Sequence, residues 1–345
     1  MSRFGSSDHS RRCSESYSLQ DKRFIPIAVT LVILGLVVCF GCKRRNEDNT
    51  TAVKLRVGYI PITECAHLYV GISKEYFRKE RIEIDLQPMK GGAVILPALQ
   101  ADSLDIGFAN VVSLIAIDSK VPSTSPKFLK YLIGGTYERP GHVNHALLIK
   151  KDSNIQVKDL ATPSVRIAVN TTGNIEDLML RRLLETQGIS APVLTLISIG
   201  FPDMLPALDR GDVDVVSVVE PFIEPALRAG KYKLLVNQYL AVSEETAVAT
   251  YVVTKQWLGD NADVAERFRR AFRHANEFIN NNEPETREIL AAFTRIRRED
   301  LPLIGMPAFD IGLKRTSVED LITSMQRLKF ITSVPPLEQM MDADK

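Results

Sequence analysis

The sequence predicts an α/β protein of two similar lobes facing each other across a cleft, and three observations carry the prediction. First, Leu96-Pro97-Ala98-Leu99 runs on to Leu104-Asp105-Ile106, and Leu205-Pro206-Ala207-Leu208 runs on to Val213-Asp214-Val215, nearly the same phrase twice. Second, each phrase closes a segment opened by a similar apolar strand, Leu55-Arg56-Val57-Gly58-Tyr59 or Val165-Arg166-Ile167-Ala168-Val169. Third, the stretches between these landmarks alternate short apolar runs with helical periodicity, the pattern of sheets flanked by helices. One unit built twice makes two lobes, and two facing lobes make a cleft in which a small molecule binds.

The elements follow in order. Residues 55–60 form an apolar strand. Residues 66–79 read as one helix, with Leu68, Ile72 and Tyr76 at helical spacing. In 82–88, Ile82, Ile84 and Leu86 alternate as in a half-buried strand. Gly91-Gly92 breaks the run, a helix continues to about Ala101, and 104–109 is the third strand. The second unit repeats this order: strand 165–169, helix 175–187 closed by Gly188, strand 193–199, helix 202–210 closed by Gly211, and strand 213–219. Such alternation predicts parallel sheets with helices on both faces. Asp105 and Asp214 start the third strand of each unit, and their expected role is to hydrogen-bond the turn. The apolar runs 146–150 and 250–254 are candidates for the two connections between lobes. Three helices end the chain. The first, 262–281, has Val264, Phe268, Phe272, Ala275 and Ile279 on one face. The second, 285–296, carries Ile289, Leu290 and Phe293, and the third, 317–330, has Ser317 and Asp320 in capping-box spacing. All three are expected to pack onto the first lobe.

With 345 residues the chain has room for two domains. Its 43 Lys and Arg against 42 Asp and Glu leave no basic excess for a nucleic acid. Four cysteines are present, and three of them, Cys13, Cys39 and Cys42, lie in or before the N-terminal apolar run. Only Cys65 falls in the folded part, so no internal disulfide is expected there. There is no Gly-x-Ser-x-Gly elbow, Walker loop or His-Glu-x-x-His pair, so the chain is not expected to be an enzyme. Neither a cofactor nor a metal is expected.

Residues 1–23 are polar, Ser-rich and basic, and 24–41 are apolar without a charge. The order basic, apolar, small residue is that of an export signal, and Gly41-Cys42 resembles the end of a bacterial lipoprotein signal, which implies lipidation at Cys42. Alternatively, Lys43, Arg44 and Arg45 act as a stop-transfer flank, and the run stays as a helix at the short end of the roughly 17–25 residues that span a bilayer. Either reading tethers the protein on the extracytoplasmic face of the membrane. The division is then 1–42 signal or anchor, 43–53 linker, 54–145 plus 251–345 lobe one, and 146–250 lobe two.

Arg56-Val57-Gly58-Tyr59-Ile60-Pro61, then Gly71 and Tyr76-Phe77, resembles the opening of the nitrate/sulfonate/taurine-type solute-binding proteins of bacterial ABC importers. Ala98-Leu99 with Leu104-Asp105-Ile106-Gly107, Arg166-Ile167-Ala168-Val169 with Thr172-Gly173, and Asp214 with Glu220-Pro221 resemble later segments, and the likeness covers about 54–330. Asp102 departs from the pattern, since glycine is usual in that turn. The resemblance implies a type II periplasmic-binding-protein-like fold with a central cleft and two hinge connections. It also implies a monomer that passes a small polar or zwitterionic solute (sulfonate, nitrate, taurine or pyrimidine class) to an ABC permease. Two rivals stand beside it. One is an enzyme of the pyrimidine-synthesising kind on the same fold, whose cysteine-rich motif this chain lacks. The other is a sensory ectodomain on an uncleaved helix.

In open α/β sheets, ligands bind beyond the carboxyl ends of the strands, which selects the loops at 59–67, 90–93, 109–111, 136–137, 170–174 and 220–222. Thr171, Thr172, Gly173 and Asn174 lead from a strand into a helix, whose unsatisfied N–H groups favour an anion. The competing role is a plain cap, with Asn174 and Asp177 at cap spacing. Gly91 and Gly92 permit close backbone approach, and Asn110 offers an amide. Tyr59 and Phe222 are candidate walls. Glu64 and Glu220 suggest a cationic or amine group on the ligand, and His67 is a further candidate. His142 and His145 read as loop residues. The acids and the Thr172-Gly173 loop call for opposite ligand charges, which a zwitterion or a neutral heterocycle would reconcile.

Overall fold

The computed structural model describes residues 52–189, 193–294 and 296–341 and contains two β-sheets. Its strands are β1 (Val53–Tyr59), β2 (Ile82–Pro88), β3 (Ile106–Asn110), β4 (Leu129–Glu138), β5 (His145–Lys150), β6 (Arg166–Val169), β7 (Thr195–Ser198), β8 (Val215–Val219), β9 (Tyr232–Val236), β10 (Thr246–Thr254) and β11 (Ala308–Asp310). The first half holds helices α1 (Ala66–Ser73), α2 (Tyr76–Lys79), α3 (Gly92–Gln100), α4 (Val111–Asp118), α5 (Ile175–Thr186), α6 (Phe201–Arg210) and α7 (Ile223–Arg228). The rest are α8 (Lys255–Asp260), α9 (Ala262–Asn281), α10 (Glu283–Thr294), α11 (Arg315–Arg327) and α12 (Leu337–Met341). The expected signal run 24–41, the lipidation site Cys42 and all but the end of the 43–53 linker lie outside the described residues. Among the described residues no helix is long and apolar enough to cross a membrane.

The sheets run β11-β4-β10-β3-β1-β2 and β7-β6-β8-β5-β9. They share one plan. Val57 pairs with Leu86 and Ile106 in the first, and Ile167 pairs with Leu196 and Val215 in the second. Contrary to the predicted parallel sheets, both are mixed: β2-β1-β3 and β7-β6-β8 are parallel, whereas β10 and β5 lie antiparallel beside β3 and β8. The reason is connectivity. The strands on either side of each crossing, β4 and β5, then β9 and β10, belong to different sheets, so no helical crossover turns β5 or β10 parallel to its neighbour. The runs 146–150 and 250–254 therefore lie inside sheets, and the chain passes between sheets in 139–144 and 237–245.

The repeated phrase has the same chemistry in both sheets. Asp105 accepts from the Arg56 backbone N–H (2.8 Å), Nε (3.0 Å) and Nη2 (2.8 Å), and Asp214 accepts from the same three groups of Arg166 at 2.9, 3.0 and 2.9 Å. Each aspartate returns its own N–H to the arginine carbonyl at 2.9 Å. These clamps hold the starts of β3 and β8 against β1 and β6, away from the carboxyl ends of those strands. Asp102 takes the left-handed conformation (φ 57) that Gly211 takes in the other unit (φ 78).

Some predicted helices differ in detail, as when the one expected at 285–296 forms at Glu283–Thr294. The single helix 66–79 is broken into α1 and α2 at Glu75, which is left-handed (φ 59). The break folds the Phe77 ring onto Gly71, where a Cβ would lie 2.3 Å from the ring. The helix predicted for 317–330 is α11, which starts at Arg315 rather than Ser317, with no side-chain cap. The long helix α9 has its predicted bounds and buries Val264, Phe268, Phe272, Ala275 and Ile279. It packs on α1 and α2, and α10 also packs on α1, so these two return to the first sheet, whereas α11 packs on α4 and β10 and also on α5 of the second unit, with Asp320 and Arg327 paired to Arg182 and Glu185.

Candidate functional site

The carboxyl ends of the parallel strands from both sheets converge on one seam. Thr63, just after β1, donates its N–H and Oγ1 to the Glu220 carbonyl after β8, each at 3.3 Å. Asn170, after β6, donates Nδ2 to the Lys90 carbonyl at 3.5 Å. A Cβ on Gly91 would lie 2.9 Å from that Nδ2 and 3.4 Å from Thr171. Gly91 thus lets the two walls touch, while Gly92 sits over Ser113 within its own lobe. Beside these contacts an open cleft of about 220 Å³ lies between 60–62 and 88–90 on one side and 200–203 and Phe222 on the other. A second opening of about 530 Å³ shares Pro61, Pro88, Pro202 and Phe222 with it and reaches Tyr59 and Phe293. The walls are mainly proline and aromatic, with Phe201 and Phe222 stacked at 6.4 Å.

The loop proposed for an anion is filled by its own side chains. Asn174 caps α5, its Oδ1 accepting from the N–H groups of Glu176 and Asp177, and its Nδ2 donates to Asn170 Oδ1 at 2.6 Å. The Asp177 carboxylate accepts from the Gly173 N–H at 3.1 Å. Donors that would hold an oxyanion are therefore spent on a cap. Thr172 and Gly173 are exposed, whereas Thr171 is buried with its hydroxyl unpartnered. Asn110 similarly caps α4 through Oδ1, which accepts from the Ser113 N–H at 2.8 Å.

His67 lies away from the seam, in the core. It is stacked on Phe272 at 4.2 Å, and its Nε2 is 2.9 Å from Asn276 Oδ1. Burial pushes its pKa down to about 4, which keeps it neutral. Tyr59 borders the cleft with its ring edge-on to Tyr69 at 5.9 Å. Glu220 is buried and precedes a cis peptide bond to Pro221. Its carboxylate accepts from the N–H groups of Ile223, Glu224 and Gly305 at 3.2, 3.4 and 3.1 Å. Burial raises its pKa to about 7 against those bonds.

Glu64 is brought into a polar cluster that sequence reading missed. His145 starts β5, and its Nδ1 meets Glu138 Oε2, at the end of β4, at 2.6 Å. Its Nε2 faces Glu64 Oε1 at 3.6 Å and Glu176 Oε1, on α5, at 3.5 Å. The imidazole stacks on Tyr239 at 4.2 Å. Glu176 also accepts from Ser217, Gln238 (3.1 Å) and the Tyr239 hydroxyl (2.9 Å). All of these side chains are buried. Burial alone would lower the His145 pKa, but the three carboxyl groups outweigh it and push it up to about 9. Burial raises Glu64 to about 7, against the pull of His145.

The lobe-to-lobe seam, the mixed sheets and the two crossings invite comparison with known proteins. A model of the NMT1-like family matches residues 48–294. The chain belongs to the NMT1-like family. No curated protein matches it. Among solved structures, it is similar to the alkanesulfonate-binding protein SsuA of Xanthomonas axonopodis pv. citri bound to MOPS. Identity there is 16%, over 84% of this chain and 98% of that one, with a TM-score of 0.66. It is similar also to the periplasmic nitrate-binding protein NrtA of Synechocystis, at 14% identity over 82% and 84% of the two chains and a TM-score of 0.67. The desulfurization enzyme DszB has the same fold, at 14% identity over 85% and 97% and a TM-score of 0.61. The fold is that of the periplasmic binding proteins.

Within this NMT1-like chain, the structure joins Glu64 to Glu138, His145 and Glu176, and Gly91 to Asn170 and Thr171. It leaves His67 in the core and turns Asn110 and Asn174 into caps. The cluster had one faint sequence signal: Glu138 and His145 are polar residues at the ends of apolar strands that flank a crossing. Such residues sit where both lobes and both connections meet.

Proposed function

We propose that this NMT1-like protein is the extracytoplasmic solute-binding component of an ABC importer. It binds one small polar solute between two lobes, one on each sheet, which open and close about the crossings at 139–144 and 237–245. The observation that carries the reading is the seam: groups from both lobes meet there, beside a cleft at the carboxyl ends of the parallel strands. The solutes considered are sulfonate, nitrate, taurine and pyrimidine classes, and the protein acts without turnover, as a monomer, handing the solute to a membrane permease. Lipid on Cys42 holds it at the membrane.

Native mass spectrometry of protein purified from its own host tests this directly. One small molecule per chain, released unchanged on unfolding, is the expected result. A chemically altered product would favour an enzyme. Protein that carries nothing, and does not compact in X-ray scattering with any solute of these classes, would end the reading. Intact-mass analysis addresses the anchor: lipid on an N-terminal Cys42 supports it, and a retained Met1 favours a sensory ectodomain.

A further inference from the structure

The seam holds more unpartnered acceptors than donors, the Thr171 hydroxyl being an unpartnered donor there. Glu64 Oε1, Glu138 Oε1, Asn144 Oδ1 and Gln238 Oε1 are buried without a hydrogen-bond partner. All four are acceptor atoms. They come from the loop after β1, the end of β4 and the two crossings, so every connection between the lobes contributes one. Glu64 is 2% exposed, and Glu138, Asn144 and Gln238 are fully buried. The second lobe adds Glu176. Three carboxyl groups thus surround one imidazole, whose two nitrogens are already directed at them. A buried acceptor without a donor is destabilising, and more so when charged. By contrast, the N–H groups at 173, 176 and 177 are taken by Asp177 and Asn174. An oxyanion arriving here would find acceptors, and a cation would find partners.

We propose that the seam receives a positively charged, donor-rich nitrogen group of the solute, an ammonium or amidinium on a small apolar body, held by Glu64 and Glu138 of the first lobe and Glu176 of the second. This rests on the solute-binding reading and names the chemistry of its ligand. The body lies toward the proline- and aromatic-walled cleft, since Ile62 lines that cleft and Glu64 follows two residues on. Because the acids belong to different lobes, one cation between them favours the closed arrangement over the open one. It also competes with the His145 imidazolium for the same carboxylates, so binding drives a proton off His145. The groups facing that ring are Glu64, Glu138, Glu176 and the stacked Tyr239.

Calorimetry with four probes of one shape tests this: benzylamine, benzamidine, benzyl alcohol and benzenesulfonate. The cations are expected to bind at one per chain, at least tenfold tighter than the alcohol or the sulfonate. Their heat should differ between phosphate and Tris in the sense of proton release. Glu64→Gln and Glu138→Gln should each weaken the cations at least tenfold, with circular dichroism confirming the fold. Three results overturn the inference: the sulfonate binding as tightly as the cations, wild-type affinity in both variants, or no saturable binding of either cation. The solute-binding reading fails by a separate result, native mass spectra and scattering that show no bound or closing ligand, so the two failures are distinguishable.

Discussion

His145→Gln removes the one imidazole from among three buried carboxyl groups, and its consequence can be worked out from the geometry. The folded-state pKa is pushed up to about 9 by Glu64, Glu138 and Glu176 acting against burial, whereas an unfolded histidine titrates near 6.5. A folded state that binds the proton more tightly is most stabilised below the unfolded pKa, and it loses that stabilisation as pH rises through 9. The full effect is about 3 kcal/mol. Glu64, Asp118 and Glu220, each raised to about 7, change stability in the same sense but only below that pH. His67, lowered to about 4, works in the opposite sense between 4 and 6.5. Between pH 7 and 8 the slope therefore belongs to His145, and above pH 8 the Cys65 thiol, which burial holds protonated, adds to the fall. Urea unfolding of wild type and His145→Gln at pH 7, 8 and 9 is the assay. Wild type should lose about 2–3 kcal/mol across this range, which corresponds to roughly 3–5 °C in Tm for a chain of this size. The variant should start about 3 kcal/mol lower, because a buried carboxylate left without its partner is costly, and then fall less steeply than wild type, its remaining slope coming from Cys65 and from Glu64, which has lost the imidazole that held it down. A wild-type profile level from pH 7 to 9, or a variant with the wild-type slope, would refute the reasoning.

Other outcomes follow from the same geometry. Gly305→Ala should destabilise by about 3 kcal/mol or more in thermal unfolding. Its Cβ would lie 1.9 Å from the Val143 carbonyl, and the backbone shift that relieves this clash would strain the hydrogen bond from the residue 305 N–H to Glu220. Gly259→Ala, in α8 with nothing within 4 Å, should instead gain up to about 1 kcal/mol. Asp105→Asn and Asp214→Asn should each cost about 1–2 kcal/mol in urea unfolding. The first should cost more, because its side chain is 16% exposed against 29%; equal or reversed costs would count against the clamp. Gly91→Val should hold the lobes apart, since a Cβ there already meets Asn170, and a larger radius of gyration in X-ray scattering is the check.

Much of the architecture was readable in the chain because it is written in local patterns. The bounds of β2 and α9 match their periodicity residue for residue, since each has one face against the core and one toward solvent. The Leu-Pro-Ala-Leu phrase marked equivalent turns, and Arg56–Asp105 and Arg166–Asp214 are the reason it recurs. Strand direction was less readable. The apolar runs of β5 and β10 look like any buried strand, and only the crossing makes them antiparallel.

The site divides along the same line. From sequence alone came the two units, the loops at strand ends, and Glu64 and Gly91 among them, because loop position and residue type are local properties. Tertiary structure decided what those residues meet. Asn174 and Asp177 close the N-terminus of α5 that an anion would need. His67 is held neutral under Phe272, and His145, a loop residue by sequence, stands among Glu64, Glu138 and Glu176. Those four residues span 64 to 176 in the chain and come together only where both crossings fold onto the seam. Charge complementarity between residues so far apart carries no periodic signal; it exists only once packing has removed the water between them.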